Sequence, residues 1–179
     1  MKTAITFTSL IASTLAEGYF GVMATRSASP IHFLPLNANG GKFYLGGTPS
    51  SFCPPQVGDV CKAYPGNSTV LAGGDGTLGL AVIVPGGQRA YIAPDGSMSY
   101  TVPHSAYIPE GSIVDGWTKE EGEAYGWLRY KDGLIACPPA EESKPWPVFG
   151  QRSNVTLSPD CLGFSALAFN STKAGAWEY

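Results

Sequence analysis

The chain is 179 residues long, 44% hydrophobic and only 14% charged, with a formal net charge of −3. That length suits one domain. The few charges mix in sign, which excludes the basic stripe of a nucleic-acid binder, and no stretch reaches the ~20 apolar residues that a membrane-spanning helix needs.

Met1-Lys2 is a short positive start, and Thr3–Leu15 is an uncharged apolar run. Thr14-Leu15-Ala16 then places small residues three and one before a cut ahead of Glu17. This is the pattern of a secretory signal peptide. Residues 1–16 are therefore set apart from the fold, and 17–179 are expected to form a single secreted β domain. The C-terminal NSTKAGAWEY is polar, so no lipid anchor or membrane contact is expected.

From there the chain alternates short apolar runs with turns, punctuated by 23 Gly and 15 Pro, and shows no long helical period. YFGVMATRS (19–27) and PIHFLPL (30–36) read as strands split at Ala28-Ser29-Pro30. KFYLG (42–46) follows a turn at NANGG. Residues 47–68 read as loop. TVLAG (69–73) precedes a glycine-rich turn, GGDGT, and LGLAVIVP (78–85) carries apolar residues on both faces, as a central strand does. QRAYIA (88–93) and SMSYTV (97–102) flank Pro94-Asp95-Gly96. SIVDGWT (112–118) leads to an acidic loop at Lys119-Glu120-Glu121. AYGWLRY (124–130) and LIACP (134–138) flank Lys131-Asp132-Gly133. WPVFG (146–150), LGFSALAF (162–169) and GAWEY (175–179) close the series. Asp-Gly pairs favour the positive-φ turns of hairpins, so Asp95-Gly96 and Asp132-Gly133 are expected between antiparallel neighbours. The fold class is all-β: an antiparallel β-sandwich or barrel-like sheet pair of short strands.

Export gives the four cysteines a meaning, because an even count in an oxidising compartment implies disulfides. Proximity favours Cys53–Cys61 and Cys137–Cys161. No C-x-x-C occurs and neither histidine stands at ligand spacing from a cysteine, so no metal site is expected. Three N-x-S/T sequons, at Asn67, Asn154 and Asn170, mark expected glycosylation on the surface.

Candidates for chemistry are few. His104, in Val-Pro-His-Ser-Ala, has Ser105 and Glu110 nearby in sequence, but a general base needs a partner within hydrogen-bond reach. His32 lies in an apolar run and reads as structural. Gly163-Phe164-Ser165-Ala166-Leu167 departs from the G-x-S-x-G elbow at its last position, and its surroundings read as strand rather than strand-to-helix turn. No motif singles out a carboxylate pair. GGDGTLG (73–79) and PGGQ (85–88) lack the Lys-Ser/Thr ending of a phosphate loop. No catalytic residue and no cofactor is expected. Trp117, Trp127, Trp146 and Trp177 are candidates for a flat aromatic face that stacks on sugar rings, if they are exposed.

Two blocks carry a resemblance: F-G-V-x-A-x-R-S-x-S-x-I-H at Phe20–His32, and V-P-G-G-Q through Y-x-A-P-D-G-x-x-x-Y-T to H-S-A at Val84–Ala106. With Gly163–Leu167, they resemble fungal secreted IgE-binding proteins related to the cell-wall protein PhiA. The resemblance implies a non-enzymatic protein that is secreted, extracellular or held in the fungal cell wall. It implies a structural or interaction role, with wall or conidial development and IgE binding as its finer content. Cell-wall polysaccharide is the expected partner. A secreted carbohydrate-binding or effector-type module is the alternative, ahead of a hydrolase.

Overall fold

The computed structural model describes residues 18–122 and 124–179; the expected signal peptide, residues 1–16, lies outside them. Eleven strands make one antiparallel sheet system: β1 (Tyr19–Thr25), β2 (Leu36–Asn39), β3 (Lys42–Leu45), β4 (Leu71–Leu80), β5 (Gln88–Ile92), β6 (Met98–Tyr100), β7 (Trp117–Glu120), β8 (Gly126–Tyr130), β9 (Leu134–Ala136), β10 (Trp146–Gly150) and β11 (Leu162–Ser171). Their pairings run β11-β8-β7-β4-β5-β6-β3-β10-β9 and return from β9 to β11, so nine strands close a barrel. Closure removes the unpaired edges that would otherwise recruit other chains. β1 closes a shorter circuit, pairing with β11 along its whole length and with β4 at Phe20↔Leu71.

Alternation decides which side chains face inward. On β1, Phe20, Val22 and Ala24 are buried; on β8, Gly126, Leu128 and Tyr130 are buried while Arg129 is exposed. The register sets Val22 against Ala168 and Ala24 against Ala166, so small residues of β11 leave room for neighbours along the longest ladder. The core also takes Phe43, Leu45, Ile92, Met98 and Trp117.

Local signals worked where two strands meet through a short turn. Gly40 and Gly41, at φ 57° and 81°, join β2 to β3 with Asn39 opposite Lys42, a two-residue hairpin that only glycine-like residues enter without strain. NANGG is thus partly strand, since β2 takes its Asn37–Asn39. Pro94-Asp95-Gly96 joins β5 to β6, with the Asp95 carboxylate accepting Ser97 N–H at 2.9 Å and Ser97 Oγ–H at 2.7 Å.

Several expectations are corrected. Asp132-Gly133 does not close a hairpin: β8 and β9 both run antiparallel to β11, so the segment between them offsets the chain without reversing it. Residues 30–33 are turns, held by His32 N–H to the Ser29 carbonyl at 3.1 Å and Leu34 N–H to the Ile31 carbonyl at 3.2 Å; Pro35 makes an isolated bridge with Met23, and only Leu36 belongs to a strand. GGDGT is strand. β4 passes through it, pairing first with β1, then β7 (Asp75↔Thr118, Gly76↔Trp117), then β5 (Gly79↔Arg89). A strand handed between three partners has to bend, and glycine supplies the bend. The strand ends at Leu80, so Ala81–Pro85 is not part of a central strand. β7 begins only at Trp117 and carries Lys119 and Glu120 out of the expected acidic loop. Residues 175–179 make isolated bridges rather than a strand, and 47–68 includes a 3-10 turn at Pro55–Val57 and one short α-helix, α1 (Val60–Ala63).

Both expected disulfides are present, Cys53–Cys61 and Cys137–Cys161. Gln88 anchors the last residue: its Oε1 accepts Tyr179 N–H at 2.8 Å, while its Nε2 donates to the oxygens of Tyr179 (2.7 Å) and Thr101 (3.0 Å). Burial then pushes the Tyr179 phenol up to about 12.

Trp117 and Tyr130 face each other in the core with ring centroids 5.0 Å apart, and Trp117 Nε1 and the Tyr130 hydroxyl have no hydrogen-bond partner among the described residues. An unpaired buried hydroxyl carries an uncompensated desolvation cost. Tyr130→Phe is therefore expected to leave stability unchanged or raise it by up to about 1 kcal/mol in urea unfolding. A loss of more than about 1 kcal/mol would show that the hydroxyl is bonded in solution.

Candidate functional site

His104 stands on an exposed loop between β6 and β7 with φ 59°, and no hydrogen bond joins it to a serine or carboxylate among the described residues. Its neighbour Ser105 accepts Tyr107 N–H at 3.1 Å, and Glu110 is exposed farther along the loop. Sequence proximity does not become a dyad. His32 is a turn residue: Nδ1 accepts Arg26 N–H at 3.2 Å and the ring stacks on Phe33 at 3.9 Å. Ser165 lies within β11, and its carbonyl accepts the Thr25 hydroxyl at 3.0 Å, so G-F-S-A-L continues a strand instead of turning into a helix. Hydrogen bonds from Arg129, at 2.6 and 2.9 Å, hold the Glu120 carboxyl below the usual carboxylate range. That keeps Glu120 ionised as an anchor and unsuited to acid catalysis near neutral pH.

The four tryptophans do not share a face. Trp117 is 1% exposed and belongs to the core, so it is removed from any surface platform. Trp146 packs against the main core, and the backbone carbonyl of Trp177 accepts Val84 N–H at 3.0 Å; both side chains are half-buried. Trp127 points outward from β8, half-buried, with exposed Tyr125 edge-on at 6.0 Å.

Trp127 lines a depression on the described surface. Where β8 leaves off and β9 begins, a groove of about 340 Å³ is walled by Trp127, Arg129, Lys131 and Asp132. A second of about 600 Å³, lined by Thr25, Arg26, Ile135 and Gln151, shares Gly133, Leu134, Phe164 and Ser165 with it. The offset at Gly133 (φ 97°) makes the depression, because β8 and β9 each pair with a different half of β11. Leu134 and Phe164 pack on the core, which fixes the shared part of the groove. Arg26 Nη1 donates to the Gly163 carbonyl at 2.8 Å and rigidifies one wall. An apolar base with amide, hydroxyl and charged groups around it, open to solvent, suits a flat polyhydroxylated ligand.

Of these residues, the sequence singled out Trp127, and Phe164 and Ser165 within the elbow-like Gly163–Leu167. The alternation in G-W-L-R-Y also tells that Trp127 and Arg129 share the outer face. Gln151, Phe164 and Arg26 come from three other segments, and nothing local shows that they meet Trp127. The three sequon residues, Asn67, Asn154 and Asn170, are all exposed.

A family model described as PhiA-like secreted protein matches residues 20–179 of the chain. A protein of Arthroderma benhamiae, described as an uncharacterized secreted protein, is 38% identical over 159 residues, covering 82% of this chain and 77% of its own. No solved structure matches the chain.

Proposed function

This chain belongs to the PhiA-like secreted protein family, and from that premise we propose that this extracellular fungal protein is a non-enzymatic component that holds to cell-wall polysaccharide through the groove at the β8–β9 offset. The observation that carries the reading is the groove itself: an apolar base, one outward tryptophan and surrounding polar groups, without a hydrogen-bonded nucleophile and base among the described residues lining it. Glycans at Asn67, Asn154 and Asn170 would add solubility and bulk to the surface, as suits an exported protein.

Retention on insoluble chitin and β-glucan tests it. Wild-type protein is expected to be retained, and Trp127→Ala to weaken retention about tenfold, as loss of an aromatic anchor does at a binding surface. Lys62→Gln, on exposed α1 outside the groove, leaves retention unchanged. Equal retention of wild type and Trp127→Ala, or retention of neither on any wall fraction, ends the proposal.

A further inference from the structure

A second concavity lies on the other side of the strand order and shares no lining residue with the groove. It is a cleft of about 420 Å³ walled by Gly86, Gly87, Arg89, Thr101, His104, Ser105, Ala106 and Ile108. Its side-chain chemistry is one-sided. No carboxylate lines it. The Arg89 guanidinium, exposed on β5, makes no hydrogen bond or ion pair among the described residues. Thr101 Oγ1, buried, accepts Arg89 N–H at 3.0 Å, which commits a lone pair and leaves its own hydrogen to donate. Ser105 Oγ likewise accepts Tyr107 N–H and retains its hydrogen. Gly86 and Gly87 put no side chain on their wall.

The backbone adds a separate observation. His104 is held at φ 59°, one of three non-glycine residues at positive φ among those described. That region is sterically costly for a residue with a Cβ, and residues held there concentrate at ligand sites. His104 lines the same cleft as Arg89.

We propose that this cleft is a binding site for an oxyanion-bearing small ligand, a carboxylate or phosphate such as acidic sugars carry. The Arg89 guanidinium supplies the charge-assisted, fork-shaped contact. The Thr101 and Ser105 hydroxyls and the His104 imidazole complete a set of donors around it. Such a set rewards an anion and leaves a neutral sugar without a matching acceptor of comparable strength.

The test is an NMR titration of the full secreted protein, both disulfides formed, with glucuronate, glucose 6-phosphate and glucose in parallel, following the Arg89 and His104 side chains. Saturable shifts with at least one of the two anions, and at least about tenfold weaker binding of glucose, are expected. Which anion binds tells the carboxylate source from the phosphate source. Arg89→Gln is expected to fold as the wild type does, since the guanidinium holds nothing else in place, and to weaken anion binding about tenfold or more. His104→Gly is expected to raise the thermal midpoint, because glycine enters positive φ freely, while weakening anion binding. Glucose binding as tightly as the anions, no saturable shift with either anion, or unaltered affinity in Arg89→Gln overturns the proposal; unaltered affinity in His104→Gly overturns the role given to its imidazole.

Discussion

Trp117→Ala is expected to destabilise the protein by about 3–5 kcal/mol, out of a total that for single domains is about 5–15 kcal/mol. The indole is 1% exposed and is the largest of the fully buried side chains. It sits opposite Tyr130 of β8 on one side and Gly76 of β4 on the other. A glycine partner cannot move inward to fill the space, and β4 is already bent there to serve three neighbours. The cavity should therefore persist, which puts the cost toward the upper end of the range. Urea unfolding followed by circular dichroism measures it. Trp117→Phe should recover part of the loss. Trp127→Ala, at a half-buried outward position on the neighbouring strand, should cost much less. A Trp117→Ala variant within about 1 kcal/mol of wild type would mean that this face of the barrel is open in solution.

Removing the Cys137–Cys161 bridge should cost about 3.5 kcal/mol, against about 2.6 kcal/mol for Cys53–Cys61, if both act by restricting the unfolded chain. The difference follows from loop size, a separation of 24 residues against 8. Position works in the same direction. Cys137 directly follows β9 and Cys161 directly precedes β11, where Ala136 pairs with Leu162. This bridge therefore ties the seam through which the nine-strand circuit closes, and β9 contributes only three residues to that seam. Cys53–Cys61 ties the short loop that leads into α1, outside the circuit. The double variants Cys137→Ala/Cys161→Ala and Cys53→Ala/Cys61→Ala, compared in urea and by limited proteolysis, separate the two. The first should also become cleavable between residues 137 and 161. An equal or reversed order of stabilities would contradict the seam argument.

The two histidines and the tryptophans show how far residue type alone carries a functional reading. His32 could be read as structural because it stands in an apolar run. His104 could be placed in a turn-rich segment, yet nothing in Val-Pro-His-Ser-Ala announces a positive φ or the approach of Arg89 from β5. Trp117 and Trp127 look equivalent as letters. They are separated by which face of adjacent strands they occupy, and that is legible in G-W-L-R-Y only once the strand is known to have a buried side.

What the sequence determined by itself is everything set by short range or by compartment. Export implied bridged cysteines; Pro94-Asp95-Gly96 implied a hairpin because the turn and both strands lie close together in the chain; short apolar runs punctuated by turns implied β structure throughout. What only the tertiary structure decided is partnership. The bend of β4 through GGDGT, the parallel course of β8 and β9 across the Asp132-Gly133 offset, and the closing of β9 onto β11 all depend on which distant strand supplies the next row of hydrogen bonds. A glycine run permits a turn or a bent strand equally well, since both need positive φ, and the choice falls to the partners that satisfy its backbone and cover its buried face. The groove and the cleft exist because of those choices, so their residues are scattered along the chain and meet only in the barrel.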